Sequence, residues 1–163
     1  MKKLFLPDFF LDSVFSINQE TLKERGICAL IFDIDNTLAE YETPVPDEKT
    51  AEWMKGLRED GFKIYFVSNN TSERVQKFAE SANAPYIARA AKPLSFSLRK
   101  ACRNMNVTVK QTALVGDQIF TDICGGNRLG MCTILVHPIS DKEGKFIKFK
   151  RKLEQKILKN MAE

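Results

Sequence analysis

Histidine is nearly absent from this 163-residue chain, and the single one, His137, stands before Pro138 at the end of an apolar run. Neither a nucleophile–histidine–acid triad nor a histidine-rich metal cluster is indicated, so His137 is read as structural. The four cysteines, Cys28, Cys102, Cys124 and Cys132, form no CxxC pair and sit among apolar neighbours. That argues against a zinc site or a disulfide framework and fits a reducing, cytosolic setting. Long apolar runs are missing too. The richest stretch, residues 4–15, is broken by Pro7, Asp8 and Asp12 well short of membrane-spanning length. No small-x-small cleavage pattern follows it, so it does not read as a signal peptide. Glycine-rich phosphate loops of the kinase or P-loop kind are absent, and nucleotide-driven phosphoryl transfer is not expected. Internal repeats and low-complexity linkers are absent as well.

What is present suits one folded unit. With 44% hydrophobic and 28% charged residues, residues 1–163 are expected to form a single domain, with an apolar segment at about 1–26 and a basic helix at about 148–162 as appendages. Lysine and arginine outnumber acids by 25 to 21, and much of the excess lies between Lys142 and Lys159. That stretch reads either as a solvated helix face or as a surface for an anionic partner, a membrane or RNA. Phe9, Phe10 and Phe15 are expected to cover one face of a sheet, with insertion into a membrane surface as the alternative.

From Cys28 onward, short apolar runs alternate with helical patterns, the signature of a parallel α/β sheet covered on both faces. About five strands are expected: residues 28–32, 63–67, a short one at Tyr86 and Ile87, 113–115 and 132–136. The spacing predicts a helix over 47–60 that buries Trp53, Met54 and Leu57 and stops at Gly61. Another starts at Ser72 as N-cap and buries Val75, Phe78 and Ala79. A third has Pro93 in its first turn and carries Phe96, Leu98, Ala101 and Met105. The remaining two cover 121–129, closed by Gly130, and 149–161, with Leu153, Ile157 and Leu158 as the apolar face.

In such a sheet the functional residues lie at the carboxyl ends of the strands, and four of these ends are polar. Asp33 and Asp35 stand two residues apart directly after the first strand, a costly pair to bury without a cation. With Mg²⁺ bound there, Asp33 can attack phosphorus and Asp35 can serve as general acid and then general base. The Ser68 hydroxyl and the following backbone N–H, that of Asn69, can hold phosphoryl oxygens, and the Lys92 ammonium can balance their charge. Asp117 and Asp122 supply two further carboxylates, giving the hard oxygen-rich set that Mg²⁺ prefers. Asp122 has a second reading as a partner of the adjacent helix N-terminus, and Asn36, Asn69 and Asn70 have one as loop-orienting residues.

These segments resemble, in order, the four motifs of the haloacid dehalogenase (HAD) superfamily: DxDxT at 33–37, Ser68, Lys92 and GDxxxxD at 116–122. The resemblance implies a Rossmann-like domain and a Mg²⁺-dependent phosphatase. In it Asp33 forms the phospho-enzyme, Asp35 is the acid/base, Ser68 and Lys92 bind phosphate, and Asp117 with Asp122 bind metal. The main-chain carbonyl of Asp35 is a further ligand. The chain is also similar to the YqeG-like group of HAD subfamily IIIA, to which phosphatidylglycerophosphate phosphatases are related, and this makes a lipid phosphate one candidate substrate.

Each interval between motifs is filled by one helix and its loops, leaving no room for a large cap domain. A capless site should lie open to large or surface-bound phosphorylated partners such as phospholipids, proteins or nucleic-acid ends, or to a sugar phosphate. An RNA- or ribosome-binding adaptor with vestigial catalysis is the competing expectation. The setting expected is cytoplasmic, with peripheral membrane contact as an option.

Overall fold

The structure, a computed structural model, describes residues 4–162, with side chains as far as Lys159. Residues 1–3 of the expected N-terminal segment, and 163, lie outside the described residues. The elements run β1 (Phe9–Leu11), α1 (Gln19–Glu24), β2 (Ala29–Phe32), α2 (Glu48–Glu59), β3 (Lys63–Val67), α3 (Ser72–Ser81) and β4 (Tyr86–Ile87). They continue with α4 (Phe96–Met105), β5 (Thr112–Gly116), α5 (Cys124–Leu129), β6 (Cys132–Val136) and α6 (Lys145–Ala162). All pairings are parallel, in the order β1-β6-β5-β2-β3-β4.

Successive strand residues point to opposite faces, and the core divides accordingly. Leu30, Phe32, Ile64, Phe66 and Val115 pack with Met54 and Leu57 of α2 and Val75 and Phe78 of α3. Ala29, Ile31, Tyr65, Val67 and Leu114 face Leu98, Ala101, Cys102 and Met105 of α4. Each large side chain buried this way contributes about 1.5–3 kcal/mol, so both helical layers are held firmly on the sheet. Local signals fix the ends: Asp47 accepts from the Thr50 N–H at 2.7 Å, capping α2, and Gly130 takes φ 68° after α5.

The structure corrects several expectations. A sixth strand exists: Phe9–Leu11 pairs with Ile134–Val136, so part of the N-terminal segment extends the sheet instead of lying over it as an appendage. The Asp8 carboxylate accepts from the Thr133 N–H at 2.8 Å, and the Asp8 N–H donates to the Thr133 carbonyl at 2.9 Å, anchoring the strand. Phe15 does act as a cover, edge-on to Trp53 with ring centroids 5.5 Å apart. The helix cap before α3 is Thr71, with Ser72 the first helical residue. Two further residues separate Pro93 from the start of α4. That start turns Ser97, Leu98, Ala101, Cys102 and Met105 inward and leaves Phe96 exposed. Residues 119–123 form a π-helical turn before α5. No helix among the described residues is long and apolar enough to cross a membrane.

Candidate active site

The chain leaves β2 in one direction through β3 and β4 and returns on the other side through β5 and β6, so the order reverses between β2 and β5. A crevice opens at the carboxyl ends on either side of such a reversal. Asp33 follows β2, Asp117 follows β5, Ser68 follows β3, and the Lys92 loop follows β4. Asp33, Asp35, Ser68, Asn69 and Lys92 line one cavity of about 390 Å³, together with Tyr41, Asn70, Gln118, Thr121, Ile147 and Lys150.

Buried deepest is an acidic cluster. Asp33, Asp117 and Asp122 each offer a carboxylate oxygen within 4.8 Å of the others. Lys92 reaches into it, its Nζ donating to Asp33 Oδ1 at 2.8 Å and Asp122 Oδ1 at 2.6 Å. Thr37 Oγ1 donates to Asp117 Oδ1 at 3.0 Å, and Arg151 of α6 donates to the other oxygen of Asp117 and to its main-chain carbonyl. Asp122 Oδ2 also accepts from the Gln118 N–H at 3.2 Å, so this residue serves both the cluster and its own turn.

Gly116 makes that approach possible. A Cβ there would fall 2.3 Å from Asp122 Cγ, a distance at which something must shift. Gly116→Ala is therefore expected to push Asp122 out of the cluster and lower kcat on an aryl phosphate roughly 100-fold, with circular dichroism unchanged. Wild-type turnover in this variant would remove Asp122 from the working site.

Burial dominates the electrostatics. It pushes the Asp33 carboxyl well above the ordinary range, with Lys92 pulling the other way and Asp122 and Asp117 adding to the rise. Asp117 is pushed up to about 6 by burial, against the pull of Arg151. Burial alone would lower Lys92, but Asp122 and Asp33 outweigh it and hold it above the usual lysine value. Three acids facing one lysine and a shared arginine leave the cluster short of positive charge. Hard oxygen donors at this spacing fit a divalent cation such as Mg²⁺.

Asp35 stands apart from the three-acid cluster. Asn70 Nδ2 donates to its Oδ2 at 2.9 Å, and Arg74 Nη2 lies 3.3 Å from its Oδ1. That Oδ1 is buried and makes no hydrogen bond.

The three asparagines organise loops. Asn69 clamps the Lys92 backbone, accepting its N–H at 2.8 Å and donating to its carbonyl at 3.1 Å, so its side chain positions Lys92, leaving only its N–H for a phosphoryl group. Asn36, at φ 60°, donates to Glu143 Oε1 at 2.8 Å and to the Ser140 carbonyl at 3.1 Å. Glu143 in turn receives Arg151 Nη2 at 2.6 Å, tying the Asp35 loop to α6. His137 lies outside this network, exposed, with Nε2 3.9 Å from Asp12.

Comparison with known proteins bears on the same residues. A family model described as HAD-hydrolase-like matches residues 89–148, the part holding Lys92, Asp117 and Asp122. Over 97% of its length the chain is 41% identical to the probable phosphatase YqeG of Bacillus subtilis, covering 92% of that protein. The chain belongs to the HAD family of phosphatases. The HAD relatives extend to phosphatidylglycerophosphate phosphatase 1 of Arabidopsis thaliana, 27% identical over 97% of the chain, which spans about half (48%) of that longer protein. A HAD phosphatase structure from Thermococcus onnurineus superposes with a TM-score of 0.58 at 13% identity, covering 78% of this chain and 98% of that one; it supports the fold alone. As a HAD phosphatase the chain is a phosphoric monoester hydrolase, and no cap domain is seen among the described residues.

Several residues of this HAD site escape a reading of the motifs. Tyr41, Arg74, Gln118 and Thr121 lie in loops or first turns with no period to betray them. Lys150 and Arg151 are hidden in a run of basic residues. Glu154 carried a signal: it is the one acid of α6, and it turns inward to accept from the Ile119 and Phe120 N–H groups at 2.8 and 3.2 Å. Those bonds seat the basic helix beside the cavity.

Proposed function

We propose that the chain hydrolyses a phosphomonoester borne by a membrane lipid, phosphatidylglycerophosphate being the first candidate, through a phosphoaspartate on Asp33 and with Mg²⁺. The observation that carries the reaction is the meeting of Asp33, Lys92 and Asp122 at 2.8 and 2.6 Å at the edge of a cavity lined by Asp33, Asp35 and Lys92. The lipid part is supported by the name of the Arabidopsis relative and by the capless opening of the site.

A carboxylate oxygen of Asp33 attacks phosphorus in line with the ester oxygen. The new O–P bond forms as the ester O–P bond breaks, and Asp35 gives its proton to the departing alkoxide. Water then attacks the phosphoaspartate while Asp35 takes its proton, releasing inorganic phosphate and regenerating Asp33. Ser68, the Asn69 N–H and Lys92 are the donors for the phosphoryl oxygens. Asp33, Asp117 and Asp122, with the Asp35 carbonyl, would hold Mg²⁺, whose positive charge when bound allows an anionic nucleophile to approach an anionic phosphate.

Lys150 lines the cavity from α6, where its ammonium suits a second anionic group of the substrate. Lys150→Ala is expected to lower kcat/KM for phosphatidylglycerophosphate by roughly 10- to 100-fold, the effect of losing one charged hydrogen bond. The deciding experiment is a phosphate-release panel of phosphatidylglycerophosphate, phosphopeptides, sugar phosphates and nucleotides, with Asp33→Asn as background. Preferred turnover of a water-soluble sugar phosphate would overturn the lipid reading.

A further inference from the structure

Because every strand is parallel, the segments that follow the strands emerge at one edge of the sheet, the edge holding the catalytic cavity. Most of the large apolar side chains left exposed among the described residues belong to those segments: Val45, Leu94, Phe96, Ile139, Phe146 and Phe149. Four of them flank residues that line the cavity. Leu94 (60% exposed) and Phe96 (69%) follow Lys92, while Phe146 (71%) and Phe149 (60%) alternate with Ile147 and Lys150. A water-soluble surface gains nothing from such a cluster around its active-site mouth.

The exposed charge of α6 is all of one sign. Lys145, Lys148, Lys152 and Lys156 are exposed on α6, and the helix's one acid, Glu154, is buried against the Ile119 and Phe120 amides. Four exposed acids of this edge, Glu40, Glu42, Asp47 and Glu48, gather around Val45; two more, Glu73 and Asp141, stand apart, Asp141 beside the exposed Lys142.

We propose that this edge docks on an anionic lipid bilayer. Leu94, Phe96, Phe146 and Phe149 enter the boundary between headgroups and acyl chains, and the α6 lysines meet the lipid phosphates. RNA would satisfy the lysines but not the four apolar side chains, and a second copy would set one lysine-rich helix against another. The inference rests on the lipid-phosphatase reading and adds its geometry: the cavity faces the membrane, so a lipid headgroup reaches Asp33 without its acyl chains leaving the bilayer.

The test is co-sedimentation of the full chain with phosphatidylcholine vesicles, with and without phosphatidylglycerol, beside the Phe96→Ser/Phe149→Ser variant. Wild type is expected to partition onto the anionic vesicles and to be released by salt. The double variant should lose at least about tenfold in partitioning while turning over a soluble aryl phosphate at the wild-type rate, which reports its fold. Equal partitioning of the two proteins, or no vesicle binding by wild type, overturns the proposal. So does RNA binding or a concentration-dependent dimer that takes the place of vesicle binding. Vesicle binding without hydrolysis of any lipid phosphate would sink the substrate reading and leave the docking surface standing.

Discussion

Asp33→Asn is expected to cut aryl phosphate turnover by roughly 10⁴-fold or more, the scale seen when a covalent nucleophile is removed. The amide is nearly the same shape as the carboxylate, but it is uncharged, and its oxygen is a far weaker nucleophile toward phosphorus. Lys92 keeps its contact to Asp122 at 2.6 Å, so its ammonium is not stranded and the fold should persist in circular dichroism. A chemical readout separates a nucleophile from a metal ligand. Borohydride added during turnover reduces an aspartyl phosphate to homoserine, and peptide mass spectrometry should find that change at position 33 in wild type and nowhere in the variant. Retention of activity within tenfold of wild type would dismiss Asp33 as the attacking group.

Removal of divalent cations should have an effect nearly as large. Without a bound cation the cluster holds Asp33, Asp117 and Asp122 within 4.8 Å of one another, with burial raising the carboxyl pKa of Asp33 and Asp117. Chelation is expected to lower turnover by about 10³-fold or more, equivalent to losing several kcal/mol of charge stabilisation, and added Mg²⁺ should restore it. The same ion should stabilise the fold by about 2.7 kcal/mol at a hundred times its dissociation constant, a rise in Tm of roughly 5–10 °C for a chain of this size. Asp122→Asn should abolish most of that rise. An unchanged Tm on Mg²⁺ addition, together with full activity in chelator, would refute the metal site.

Much of this was legible in the chain because the chemistry and the fold share one pattern. Asp33, Ser68 and Asp117 each stand directly after a buried apolar run, and a parallel sheet sends every such position to the same edge. Lys92 is less legible, since an isolated lysine in a loop has no period; its place depends on its order among the other motifs. Phe9–Leu11 was opaque because three residues are too few for an alternation to appear, and their partner, Ile134–Val136, lies far along the chain. Phe96 is carried by α4 as its spacing suggested, but as the first residue of that helix it lies off the face that buries Leu98, Ala101 and Met105 and stays exposed. Arg74 could not be read either: its contact with Asp35 at 3.3 Å joins the first turn of α3 to the loop after β2, which meet only after β2 and β3 pair.

Local periodicity and spacing are enough to place the strands that carry the proposed catalytic acids, to order the motifs and to show intervals too short for a large cap. The return of the basic α6 to the catalytic edge, sending Arg151 to Asp117 and Lys150 to the cavity wall, emerges only when the chain is packed. That choice is made by contacts between distant segments, above all Glu154 with the Ile119 and Phe120 amides and Ile157 and Leu158 with the Ile119, Ile123 and Leu135 cluster. The lone acid and the apolar positions mark which face of α6 is buried, but nothing in the neighbouring residues says which distant segment receives it.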